Sequence, residues 1–335
     1  MEKKYDVFGI GNALLDCVYM VEDKFLEENK IEKGLMTLVD EKQQKSIIEK
    51  IKSYDSFIQS GGSVTNSVYT LSQLGGSGYV SVLVSDDDFG KIYLNDLKNS
   101  NVATAGLSFT TGKGMTGTCL VLTTPDAERT MNTCLSISSN FSIKNINLDD
   151  LKYAKYLYVE GYLVTSEIAM DAINECIQFA IRNDIKIALT FSDLSMVKYF
   201  KENFKSILKR KVDLLFCNED EAKIFSGFDS VNKSVEYLKN FTSNLVITQG
   251  DKGSLIINED EIIKIDPHNV KAIDTVGAGD AFCATASLAA TKGLPIELAT
   301  LVGQIAGAQA VRIVGNSDCI NKVKFMKSLE ALLNL

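Results

Sequence analysis

The stretch AIDTVGAGDAF (residues 272–282) sets two glycines ahead of an aspartate, Asp280, and then enters an apolar run, AFCATASLAA, that reads as a buried helix. Unpaired backbone N–H groups and the helix dipole favour negative charge at such a start. Gly277 and Gly279 permit close backbone approach, so with Ala278 between them the N–H groups of the turn can converge on an oxyanion. The turn equally suits a plain helix start, and it is neither GxGxxG nor a Walker A loop, since no GKT or GKS follows. Asp280 is the informative residue. A carboxylate beside an anion hole can accept a hydroxyl proton from an acceptor while the hole stabilises charge on the group being transferred.

Upstream of this turn, short apolar runs recur: KYDVFGIG, SFIQSGG, GYVSVLVS, YLYVEG, IKIALTF, VDLLFCN and NLVITQG. Amphipathic stretches at 86–98, 166–182 and 218–225 separate them, and helical segments at 278–292, at 296–314 and from Ile320 follow. Alternating strands and helices imply parallel pairing with right-handed crossovers, hence a mostly parallel sheet covered by helices on both faces in a three-layer α/β/α fold. Two stretches, 17–40 and 106–133, break the rhythm with alternating β-prone sequence. They read as a small β lid inserted into a single α/β domain spanning 1–335, because ligand sites in such sheets open at the strand C-termini, where lids exclude water. Simple surface hairpins fit the same pattern.

The bulk properties narrow the function. Among 335 residues, 45% are hydrophobic and 23% charged, which is the soluble globular norm and excludes disordered and collagenous classes. A formal net charge of −8 argues against nucleic acid or an anionic membrane as the partner. No segment is long and apolar enough to span a bilayer, and the N-terminus lacks a signal peptide's apolar stretch, so a cytoplasmic location is expected. The seven cysteines form no CxxC pair and read as reduced core residues. His268, the only histidine, lies in the turn DPHN and reads as a surface loop rather than a catalytic base.

DTVGAGDAF resembles the signature of the ribokinase-like, or PfkB-type, carbohydrate and nucleoside kinases, and further motifs appear in that family's order. GNALLD, with Asn12 and Asp16, resembles the N-terminal substrate motif; GGSVTN, with Gly61, Gly62, Ser63 and Asn66, resembles GGxxxN. NEDEA, with Asn218 and Glu221, resembles NxxE, and TQGDKG, with Thr248, Gly250 and Gly253, resembles TxGxxG. The resemblance implies ATP and Mg²⁺ as cofactors and makes Asp280 the base that receives the acceptor's proton. It assigns Asn218, Thr248, Gly250, Gly253, Gly277 and Gly279 to the ATP side, with Glu221 reaching magnesium through water. A K⁺ site beside the turn, with Asp274 facing it, is implied as well.

On the acceptor side, GNALLD, GGSVTNS, TGTCLVLTTPDAERTMNT and VEGYLVT look most like the adenosine kinase branch. That likeness implies a nucleoside phosphorylated at its ribose 5′-hydroxyl. Asp16 and Asn66 would hold sugar hydroxyls, beside Asn12, Gly62 and Ser63, while Leu14 and Tyr162 would contact the base, with Met131 a candidate from the lid. Arg129, in the lid, would meet the phosphates or decorate a hairpin tip. A ribose, fructose or other nucleoside kinase is the nearest alternative, and a non-catalytic nucleoside-binding regulator the alternative of another class. A dinucleotide oxidoreductase fails in detail, because Leu14 stands where GxGxxG needs glycine. The oligomeric state stays open between monomer and dimer.

Overall fold

The computed structural model describes residues 2–126, 128–258, 261–268, 270–273, 277–312, 324, 325 and 327. Eight strands form the main sheet in the order Glu261–Ile265, Ser254–Asn258, Thr242–Thr248, Val212–Asn218, Lys186–Thr190, Ala154–Val159, Tyr5–Ile10 and Gly78–Ser81. All pairings from Thr242–Thr248 to Gly78–Ser81 are parallel, and the hairpin Ser254–Ile265 closes one edge with antiparallel pairs. The strands are apolar on both sides because both faces are covered. Along Ala154–Val159, Leu157 and Val159 join a core packed under the helix Glu167–Arg182, whereas Tyr156 and Tyr158 point into the opposite core with Val80, Phe216 and Phe282. This period-two alternation sorts the helices onto the two faces.

Parallel strands deliver their C-terminal ends to one edge of a sheet, and the chain's polar turns gather there. Gly11 and Asn12 follow the first strand; Glu160 follows Val159, Ser192 and Asp193 follow Thr190, and Asn218 ends its own strand. The segments read as a lid build a second sheet of five strands, ordered Met36–Leu38, Arg129–Cys134, Gly117–Thr123, Leu14–Met20 and Ser56–Gly61. Ser56–Gly61 is a departure from the expected rhythm, which placed SFIQSGG in the main sheet. Its register opposite Leu14–Tyr19 shows why: the apolar run pairs antiparallel with the strand that leaves the main sheet through GNALLD.

Alternation also organises the second sheet. Cys17, Tyr19, Leu120 and Leu122 pack beneath the helices Asp23–Glu28 and Glu41–Ile51, while Val18, Cys119, Val121 and Met131 form the other face. No helix among the described residues is long and apolar enough to cross a membrane.

Candidate active site

The inner face of the small sheet and the C-terminal edge of the main sheet enclose a cavity lined by Asn12, Leu14, Asp16, Gly62, Ser63, Asn66, Met131, Tyr162, Gly277, Gly279 and Asp280. Sequence reasoning named every one of these residues, and folding brings them around one cavity. Asp280 enters from the first turn of the helix Ala278–Thr291, which Gly277 starts with a left-handed φ of 75°. Ser63 Oγ donates to its Oδ1 at 2.6 Å and Asn66 Nδ2 to its Oδ2 at 3.0 Å. Burial pushes the Asp280 carboxyl up from the ordinary carboxylate range, and these two donors pull it back.

Ser63 and Asn66 are aimed at Asp280 because the helix Ser63–Gln73 begins abruptly at Gly62. The backbone there has φ 93°, and a Cβ would lie 2.3 Å from the Asn12 carbonyl oxygen, so only glycine allows this approach. Asp16, on the adjacent strand of the small sheet, is 7% exposed. Burial raises its carboxyl to about 7, the nearby Arg129 charge opposes that rise, and the Asp280 charge adds to it.

Two acidic residues of the cavity were missed. Glu160 ends the strand run YLYVEG and is 1% exposed. It accepts hydrogen bonds from Asn12 N and Asn12 Nδ2, both at 3.2 Å, and from Val64 N at 2.8 Å. It therefore pins Asn12 to the first turn of the Ser63–Gln73 helix, and burial lifts its carboxyl to about 7 against those donors. The signal was a lone acid closing an otherwise apolar strand. Asp193, in ALTFSD, also lines the cavity, with Met36, Leu38, Val121 and Leu135 among its apolar neighbours there.

Gly279 is shared with a second cavity, which Thr248, Gly250, Gly253, Ala278, Phe282 and Gly307 help to line. A Cβ on Gly279 would meet no atom within 4 Å, so the chain's own packing does not demand glycine at this position. A bare backbone facing two cavities is what close approach of an anion requires. His268 is exposed in an irregular segment, in keeping with its surface-loop reading, and it also lines this second cavity.

Between the two cavities lies a smaller recess lined by Asn218, Glu221, Thr248, Gly279, Asp280 and Thr190. Asn218 and Glu221 form a reciprocal capping box, Asn218 Oδ1 accepting from Glu221 N and Glu221 Oε2 from Asn218 N, each at 2.8 Å. Burial pushes Glu221 up to about 7. Among the described residues no cluster of three or more metal-ligating side chains occurs. A hard cation in this recess would thus keep most of its waters, a habit of magnesium.

Arg129 departs from expectation. It is 3% exposed and lines neither cavity, so it decorates no hairpin tip. Strand alternation puts it on the same side as Met131, facing inward, where its charge bears on Asp16 and Cys119. Asp274, the expected cation ligand, lies outside the described residues.

Known proteins resemble the chain in sequence and fold. Residues 51–323 match the family model described as pfkB family carbohydrate kinase. The chain is 25% identical to an adenosine kinase of Schizosaccharomyces pombe over 346 residues, covering 96% of this chain and 98% of that one. The structure of an adenosine kinase from Sinorhizobium meliloti superposes with a TM-score of 0.92 at 27% identity, over 97% of this chain and 99% of that one. A probable sugar kinase from Rhizobium etli gives the same TM-score of 0.92 at 25% identity, over 97% and 98% of the two chains.

Proposed function

This chain belongs to the pfkB family of carbohydrate kinases, and from that premise we propose that it phosphorylates the ribose 5′-hydroxyl of adenosine with ATP, giving AMP and ADP. The observation that carries the choice of acceptor is the division of the first cavity. Asn12, Asp16, Asn66 and Asp280 supply hydroxyl-binding groups, whereas Leu14, Met36, Leu38, Val121, Met131 and Tyr162 supply apolar and aromatic wall. A nucleoside has this division between ribose and base, and a free sugar does not. The second cavity adjoins the first at Gly279 and is lined mostly by small residues, which suits the phosphates of ATP. The adenosine kinases of similar fold support the same reading.

The chain's own residues account for the transfer. Ser63 and Asn66 hold the Asp280 carboxylate toward the acceptor cavity, where it accepts the proton of the attacking hydroxyl. The backbone N–H groups at the start of the Ala278–Thr291 helix face the migrating phosphoryl and offset its charge. Asp16 and Asn66 orient the ribose, so that the acceptor oxygen and the phosphoryl meet in line. The small sheet closes over the acceptor as a lid and keeps out competing water. Asn218 and Glu221 would hold hydrated Mg²⁺, which neutralises phosphate charge.

The test is ADP release with ATP and Mg²⁺ across adenosine, inosine, guanosine, ribose and fructose. Adenosine is expected to give the highest kcat/KM. Turnover with free sugars alone would overturn the acceptor assignment in favour of a sugar kinase. Adenosine binding without turnover of any acceptor would favour a non-catalytic regulator.

A further inference from the structure

Asp193 lies in the acceptor cavity but has no part in the transfer described above. The chain turns sharply to place it, since Ser192 adopts a φ of 69° just after the strand Lys186–Thr190. Its Oδ1 is occupied, accepting from Ser195 N at 2.7 Å and from Ser195 Oγ, which caps the helix Leu194–Tyr199. Its Oδ2 takes no hydrogen bond among the described residues.

Several contacts fix which end of the cavity this carboxylate occupies. Ser195 Oγ, besides donating to Asp193, lies 3.5 Å from the Met36 carbonyl oxygen, and Met36 pairs with Met131 in the small sheet. Tyr162 OH lies 3.4 Å from the Ser192 carbonyl oxygen. After burial, the charge of Asp193 is the main influence raising the Tyr162 phenol above its ordinary range. Asp193 thus stands beside Met36, Met131 and Tyr162, with Glu221 also within reach of its charge, whereas Asp280 is tied to Ser63 and Asn66. No lysine, arginine or histidine lines the cavity among the described residues. A carboxylate in that setting is satisfied by a hydrogen-bond donor on the ligand.

We infer that Asp193 is a specificity-determining residue whose Oδ2 accepts a hydrogen bond from the exocyclic amino group of the acceptor's base, selecting an aminopurine nucleoside over its 6-oxo counterpart. A 6-oxo group turns a lone pair toward the carboxylate and leaves a polar group of the site unmatched, the kind of mismatch that gives large discrimination. The inference rests on the nucleoside reading above and adds to it the residue that reads the base.

The variant Asp193→Asn separates this role from helix capping, because asparagine and aspartate are comparable N-caps. Its side-chain oxygen keeps the cap while an NH₂ group replaces Oδ2. The ratio of kcat/KM for adenosine to that for inosine is expected to fall at least about tenfold, the worth of one charge-assisted hydrogen bond, with Tm and the KM for ATP unchanged. Should the asparagine variant fold poorly, Asp193→Ser, also a capping residue, is expected to lower the ratio in the same direction. An unaltered ratio in a folded variant, with the wild type using nucleosides, overturns the inference and leaves the function intact. A wild type that turns over free sugars alone overturns both.

Discussion

Of the two cavities that share Gly279, the one between the sheets carries four carboxylates, Asp16, Glu160, Asp193 and Asp280. The other is lined largely by small residues and backbone, with Gly250, Gly253, Ala272, Ala278, Gly307 and Ala308 among them. On the function proposed, the difference tracks what each would recognise. Hydroxyls and amino groups are discriminated by side-chain acceptors in fixed places, whereas a polyphosphate is met by N–H groups that every residue possesses. Side-chain changes should therefore act through the first cavity, and added bulk through the second.

The sharpest way to break this contrast is Asp280→Asn. Loss of the base is expected to lower kcat by roughly 10²- to 10⁴-fold while ATP binding, measured by calorimetry, is retained; near-normal turnover would remove Asp280 from the chemistry. Asp16→Asn comes next. The acceptor kcat/KM should drop about 10- to 100-fold, as for a lost hydrogen bond to a charged group, with the KM for ATP unmoved. A parallel rise in the ATP KM would show that the cavities are not separate in function.

A third prediction concerns pH. Asp16, Glu160 and Glu221 are each pushed up to about 7 by burial, while the unfolded chain holds such carboxyls near about 4. Between these values the folded state binds more protons than the unfolded one, so this contribution to stability is full at about pH 4 and is lost as pH rises through 7. Asp6, lowered to about 2 by its hydrogen bonds to Lys155, Ser77 and Lys292 in spite of burial, acts in the opposite sense below about pH 4 and lies outside this window. The Tm of the ligand-free protein should fall as pH rises from 5 to 8, by the equivalent of roughly several kcal/mol of stability. A flat profile would show that the first cavity and the recess beside it do not carry their buried carboxylates at this cost.

The smallest effect is expected at the shared wall. Because a Cβ on Gly279 meets nothing, Gly279→Ala should raise stability by up to about 1 kcal/mol through helix propensity, yet weaken ATP binding several-fold. Loss of Tm would place the residue's importance in packing instead.

How much of this was legible beforehand differs between elements. The main sheet announced itself through apolar runs such as VDLLFCN, and the turn GAGD through its glycines. SFIQSGG was misplaced because an apolar run of that length fits either sheet, and only pairing with Leu14–Tyr19 decides. Asn66 and Asp16 were readable through motif resemblance, but Glu160 was not, since an acid at a strand end looks like the beginning of a loop. Its three donors come from Asn12 and Val64, remote in sequence.

The sequence by itself determined the layered α/β class, the acidic balance, the anion-suited turn and the pairing of Asp280 with glycines, because each follows from local periodicity or residue chemistry. Tertiary structure alone decided that Ser63 and Asn66 grip Asp280, that Arg129 is buried near Asp16 rather than on a cavity wall, and that Asp193 faces the acceptor cavity with only one carboxylate oxygen bonded to the chain. These depend on which surfaces two sheets present to each other, and such long-range contacts are set by packing and register that no local pattern encodes.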